Sequence, residues 1–425
     1  MKRIGLAAIT VLALLASRSA SARDGMEPDP AALINVNDRY TVESIDFSSG
    51  QPPRVSESIL STLKRLIGDK LNLEALNRLC AQIGGEVHAN QVTFRLARGS
   101  QPDQIKVLLD VEPPKVRFDA DVPKFLYQSR QGWSGIGEAR MSFGFHTLSL
   151  AILSDGDDSV ERFSGVRASY QRQGLGSDRV QLSFTFDDLQ HHYNDATGSA
   201  ALLENNRLDN NGSVLYRGRM DFQPAVTVLL AQPLTLTLGY GLEDLRPQNP
   251  ANGNELVSAA VTNLRYRHQW GTETARHLLD VSYAFRFASR SLGSGYSFVR
   301  HEVAGRYQWK RDRQSLEARV LTGSISGNAP VIDRFVLGTS TTLRGWNKYD
   351  IDPLGGNRVA HGSVTYGYRR FRFFYDAGSI WTAGQTPEFR ESAGAGFEKD
   401  RFLFAVAFPF RAGRIDPVLI AGMNF

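Results

Sequence analysis

Two short stretches carry residue types suited to a strong noncovalent lock. Leu343-Arg344-Gly345-Trp346 sets a guanidinium beside a glycine and an indole, and Phe374-Tyr375-Asp376-Ala377-Gly378 sets a carboxylate between a phenylalanine and a glycine. A planar guanidinium can give a carboxylate two parallel, charge-assisted hydrogen bonds, which are stronger and more directional than neutral ones. Gly345 would let a loop tip turn closely against a wall, and Trp346 would wedge beside it. Covalent chemistry has little to work with. His191-His192 with Asp195 could begin a metal site but lacks a fourth ligand. Gly293-Ser294-Gly295 is not the Gly-x-Ser-x-Gly elbow of a serine nucleophile. No phosphate loop, zinc motif or patatin-like segment is present, so neither an enzyme nor a cofactor or metal is expected.

For Arg344 and Asp376 to meet, the chain must supply a wall and a loop. Along Phe371 to Gly378 a strand period puts Phe371, Phe373, Tyr375 and Ala377 on one face and Arg372, Phe374, Asp376 and Gly378 on the other. A lone carboxylate on a confined wall is costly without a partner, so the arginine is expected to come from a loop folded inward. Residues 324–358 form the longest stretch without strand pattern, and they contain Arg344. Similar alternation recurs in Leu279, Val281, Tyr283, Phe285 and Phe287, in Leu234, Leu236, Leu238 and Tyr240, in Val180, Leu182, Phe184 and Phe186, and in Phe402, Phe404, Val406, Phe408 and Phe410. Fourteen or fifteen such strands are legible in residues 115–425. After the first twenty residues no run approaches the roughly 18 apolar residues that a spanning helix needs. Membrane spans would therefore be strands, and strands in hydrocarbon must close into a barrel.

The amino terminus reads as a signal peptide over residues 1–22. Lys2-Arg3 is the basic region, Ile4 to Ala16 the apolar core and Ala20-Ser21-Ala22 the cleavage site. Its removal lowers the formal charge from +5 to +2, which does not favour a nucleic-acid partner. Residues 23–38, with Pro28 and Pro30, read as a linker. Residues 39–114 give a small α/β pattern: a strand at Tyr40 to Phe47, helices ending at Gly68 and at Gly84-Gly85, and two strands at Val92 to Leu96 and Ile105 to Val111. Asn72 is the expected N-cap of the second helix. Cys80, the only cysteine, lies on its apolar face and reads as packing.

The Leu-Arg-Gly-aromatic and Phe-x-Asp-x-Gly motifs, in this order, resemble those of the BamA/TamA and two-partner-secretion superfamily of bacterial outer-membrane assembly and secretion barrels. The resemblance implies a mainly β fold, a 16-stranded transmembrane antiparallel β-barrel over residues 115–425, preceded by one small periplasmic POTRA domain. It also implies a long extracellular loop that folds into the lumen and is pinned by Arg344 to Asp376. The departures are Glu398 in Gly394-Ala395-Gly396-Phe397-Glu398, where the family often has a basic residue, and Ser363-Val364-Thr365, where it often has an acid. Counting strands back from Phe425 puts that loop outside the cell and makes Arg369-Arg370 and Lys399-Asp400 periplasmic turns. The last strand ends in Gly422, Met423 and Phe425, expected to serve as the assembly signal and, by pairing weakly with the first strand, as a seam that opens sideways. Expected partners are client outer-membrane or secreted proteins, outer-membrane lipid, and the machinery that inserts the barrel itself. The alternatives are a two-partner-secretion-like transporter and a passive pore or surface adhesin on the same architecture.

Overall fold

The computed structural model describes residues 39–49, 55–87, 89, 91–113, 115–207, 214–272, 274–411 and 416–423. The expected signal peptide and linker, and Phe425, lie outside the described residues. The chain divides after Pro113 into two units.

The first unit runs β1 (Thr41–Phe47), α1 (Glu57–Leu66), α2 (Leu73–Val87), β2 (Gln91–Arg98) and β3 (Gln104–Glu112), the strand, helix, helix, strand, strand order of a POTRA domain. The sheet order is β1-β3-β2, with β1 parallel to the central β3. Ile59 and Leu63 on α1, and Leu76, Leu79, Cys80 and Ile83 on α2, pack onto Val107 and Leu109 of β3. Val42 and Ile45 are three apart yet both reach this core, because the β1 register shifts between Val42 and Ser44. Asn72 caps α2, its side-chain oxygen accepting the Ala75 N–H at 3.0 Å. The helix does not stop at Gly84-Gly85 but continues to Val87. Gly84 serves packing instead: a Cβ there would lie 3.4 Å from Cγ2 of Val92. Burial pushes the Cys80 thiol up, which makes it a poor nucleophile.

The second unit is a closed barrel of sixteen strands, each antiparallel to its neighbours. They are β4 (Arg117–Gln128), β5 (Gly132–Phe143), β6 (His146–Asp155), β7 (Arg162–Arg172), β8 (Val180–His192), β9 (Tyr216–Ala231), β10 (Leu234–Pro247) and β11 (Glu255–Gly271). The second half comprises β12 (Ala275–Ala288), β13 (Ser297–Arg311), β14 (Gln314–Asn328), β15 (Arg358–Tyr368), β16 (Phe371–Trp381), β17 (Arg390–Lys399), β18 (Phe402–Pro409) and β19 (Val418–Met423). The sequence pattern undercounts them where glycine interrupts the alternation, as at Gly132, Gly135 and Gly137 of β5. Apolar side chains face outward: Phe371, Phe373 and Tyr375 are 53%, 51% and 43% exposed, while the intervening Phe374 and Asp376 are 5% and 0%. Among the described residues no helix is long and apolar enough to cross a membrane.

Three boundaries differ from the sequence reading. β14 continues to Asn328, paired with Ser297, so the long loop is 329–357. Lys399 remains registered with Phe402, so the turn is Asp400-Arg401. His191 and His192 end β8 rather than lying in a loop, and Asp195 starts a helix, α3 (Asp195–Arg207). Strand alternation sends the two histidines to opposite faces, and no metal-binding cluster forms among the described residues.

Candidate functional site

Residues 329–357 turn into the barrel and become much of its core. Phe335, Leu337, Leu343 and Trp346 pack with inward residues Leu245, Val257, Phe298 and Val359. The loop is pinched at its base, where Phe335 and Gly356 exchange both backbone hydrogen bonds at 2.9 Å. Glycines in the wall make the slots it fills. A Cβ at Gly323 would fall 2.4 Å from Cζ of Phe335, and one at Gly378 would fall 3.1 Å from Cδ1 of Leu337. The Gly of Phe-x-Asp-x-Gly thus makes room for a loop side chain. A short helix near the tip, α4 (Lys348–Ile351), is capped by Asn347.

Arg344 and Asp376 meet as a bidentate pair. Nε of Arg344 donates to Oδ2 of Asp376 at 2.8 Å, and Nη2 to Oδ1 at 2.7 Å. The Arg344 backbone N–H adds a third bond to Oδ2 at 2.9 Å. Nη2 also donates to Ser363 Oγ at 3.0 Å and Thr365 Oγ1 at 3.3 Å. The hydroxyls on β15 therefore stand where the family often has an acid. The guanidinium lies 3.8 Å from the centre of the Phe374 ring, a cation–π contact that gives the first residue of Phe-x-Asp-x-Gly its role. The tip is bent to reach this geometry. Leu343 has φ +48 and donates its N–H to His361 Nε2 at 3.1 Å. Gly345 has φ +93 and sits where a Cβ would come within 3.1 Å of Ala407. A left-handed leucine held by surrounding structure is backbone strain of the kind found at functional sites. Trp346 donates Nε1–H to the Glu391 carbonyl at 2.8 Å, and Arg390 and Arg411 lie against its ring at 5.0 and 4.6 Å.

Gly394 supports the pair from the next strand. A Cβ there would fall 2.2 Å from Cζ of Phe374 and 2.4 Å from the Val406 carbonyl oxygen. Gly394→Ala is expected to displace Phe374 from beneath Arg344 and cost about 1–3 kcal/mol, as overpacking does. It should show as a lower unfolding midpoint and faster trypsin cleavage in 329–357. Unchanged values for both would mean that the slot is not needed. Glu398, the departure in the same strand, pairs with Arg372 at 2.9 Å.

A second fastening was not legible in sequence, because its parts come from separate strands and loops: Lys124 meets Asp155 31 residues away, and the long loop's Lys348 meets Gly156 192 residues away. Lys124 of β4 reaches Asp155 at 2.7 Å, Asp158 at 3.0 Å and Asp157 at 3.6 Å. Asp157 in turn accepts from the backbone N–H of Ser340 at 2.8 Å and from its hydroxyl. Lys348 of α4 is 1% exposed and donates to the carbonyls of Gly156 and Ser159. Burial pushes its ammonium down to about 8, against the pull of Glu161 and Asp157. The loop between β6 and β7 thereby ties the long loop to the first barrel strand.

That first strand meets the last at an abbreviated seam. Among the described residues β19 and β4 have four registered pairs, Ile420–Gln128 to Met423–Phe125, whereas β13 and β14 have fifteen. Gly422 is close-packed here, since a Cβ would lie 2.2 Å from the Phe125 carbonyl oxygen. Both amide atoms of Gln128 are buried with no hydrogen-bond partner among the described residues, which costs about 1–3 kcal/mol at the closure point. Among the described residues the edge of β4 from Arg117 to Lys124 has no registered partner in β19, and Phe118 on it is 73% exposed.

The Omp85 superfamily domain matches residues 164–401. Among solved structures, the chain is similar to BamA from Haemophilus ducreyi lacking POTRA domains 1–3, at 15% identity and TM-score 0.65, covering 91% of this chain and 84% of that one. It is also similar to CdiB from Acinetobacter baumannii, at 15% identity and TM-score 0.51, covering 91% of this chain and 73% of that one. At such identity the likeness is one of fold. No curated protein matches the chain in sequence.

Proposed function

Because the chain belongs to the Omp85 superfamily, an outer-membrane barrel family, we propose that it inserts or translocates client proteins at that membrane. The short-turn end of the barrel and the α/β unit face the periplasm in this reading, and the long loop starts outside. The β2 edge of the α/β sheet accepts an extended client segment by strand addition. The β4–β19 seam then opens, and the client forms its first strands on the exposed edges before release into lipid. Arg344–Asp376 holds the loop in the lumen while this happens, and no covalent step or nucleotide is required.

The observation that carries the reading is the seam: among the described residues it has four registered pairs, a buried amide without a partner, and a β4 edge with no registered pair beside them. A sheet closed for conduction alone gains nothing from an open edge in hydrocarbon, where every unpaired backbone group is costly. The test is a photo-crosslinking residue at Met423 or Phe118 in cells. Adducts with newly exported outer-membrane or secreted proteins are expected, with fewer mature clients on depletion. Steady ion conductance through the unmutated barrel, with no adducts and no client defect, would identify a passive pore instead.

A further inference from the structure

In the lower lumen several cations share fewer carboxylates: Arg372 pairs with Glu398 at 2.9 Å and Arg401 with Asp121 at 3.5 Å, but other guanidiniums sit two to an acid. Arg306 of β13 and Arg319 of β14 are direct cross-strand partners, an arrangement that like charges ordinarily disfavour. They share one carboxylate, Glu317, which accepts from Arg306 at 2.7 Å and from Arg319. One strand over, Arg265 and Arg267 share Asp280 at 2.5 and 4.0 Å. Lys310, on the same strand and face as Arg306, has no ion pair among the described residues. Arg306, Lys310, Arg319, Arg372 and Arg401 line one cavity at the short-turn end, against the carboxylates Glu317, Glu398 and Asp400. A concave wall of one dominant sign concentrates counter-ions of the other.

We propose that this vestibule binds a carboxylate-rich extended segment of the client polypeptide. The proposal rests on the client-handling reading and names the chemistry of the segment first admitted. Arg306 and Lys310 are four residues apart on one strand, hence about 13 Å apart along the wall. That spacing matches carboxylates four residues apart on one face of an extended chain and is too wide for one compact anion. With two guanidiniums on one carboxylate, one can take a client carboxylate while the other keeps Glu317, so neither capture nor release leaves a charge unpaired.

The test uses the full chain in lipid nanodiscs and a fluorescent decaglutamate peptide, with decalysine as the control. Decaglutamate is expected to bind, more weakly as salt rises, and decalysine not to bind. Lys310→Glu breaks no ion pair and should weaken binding about tenfold, as loss of a favourable charge contact and gain of a repulsive one would. The combined Arg306→Gln, Glu317→Gln, Arg319→Gln variant removes the network without stranding a charge and should weaken it further. Lys64→Glu, on the surface of the α/β unit, should change nothing. Equal binding to wild type and Lys310→Glu, or no binding at all, would overturn the proposal, as would binding of tripolyphosphate without decaglutamate. Since no client is present, failure here leaves the seam crosslinks untouched. Binding here with no seam adducts would leave the vestibule standing and remove the insertion reading.

Discussion

Arg344→Ala is expected to free the long loop from the lumen at a cost of about 3–5 kcal/mol, the price of breaking a buried ion pair from one side. Asp376 is 0% exposed and would keep only the backbone N–H of residue 344 and its neighbouring hydroxyl, with no cation. Asp376→Ala should cost less, because the Arg344 side chain is 14% exposed and can still donate to Ser363 and Thr365. Arg344→Lys should resemble the alanine variant more than wild type, since an ammonium cannot supply both parallel bonds and loses the flat stacking on Phe374. The readout is trypsin cleavage in 329–357, where Lys348 is sheltered while the loop is seated. Arg344→Glu and Asp376→Arg should each expose the site, and the two together should recover part of the protection. If the combination is no better protected than either single change, the pair is not what holds the loop.

The motif residues were legible because strand period assigns faces without any knowledge of the fold. Once Phe374, Asp376 and Gly378 share a face, a buried carboxylate calls for a cation; that Arg344 supplies it, from an infolded loop, is what the family resemblance implied. The alternation of Phe402, Phe404 and Phe408 was legible for the same reason, and all three face outward. What stayed hidden depends on which strands lie side by side. The slots at Gly323 and Gly394 take their meaning from Phe335 and Phe374, the first brought there by the infolded loop and the second by barrel register, neither by local sequence. Lys124 and its aspartates need three strands and a loop to be placed before they become neighbours. Ser363 and Thr365 looked like a missing acid, and become partners of Arg344 only when the loop is inside. The Gly84-Gly85 pair looked like a helix end, yet the packing of Gly84 against Val92 lets α2 continue.

A disulfide between β4 and β19 is expected to stop client insertion altogether while leaving the barrel folded. Tyr127 and Ala421 are registered partners on the outward face, so cysteines there have the separation that a disulfide requires, and neither side chain belongs to the loop lock. Gly422 is unsuitable, because any side chain there meets the Phe125 carbonyl. The control is Phe404→Cys with Ala421→Cys, which joins β18 to β19, also outward, and leaves the seam free. Both pairs belong in a Cys80→Ala background so that the native thiol cannot exchange. Under oxidising conditions the seam pair should reduce insertion to background and the control pair should not; reductant should restore the first. The contrast follows from where the weakness lies: among the described residues, four registered pairs and a buried Gln128 amide without a partner make β4–β19 the interface that opens at least cost. Undiminished client insertion through a fully oxidised seam would mean that clients leave by another path, and the open β4 edge would then need a different explanation.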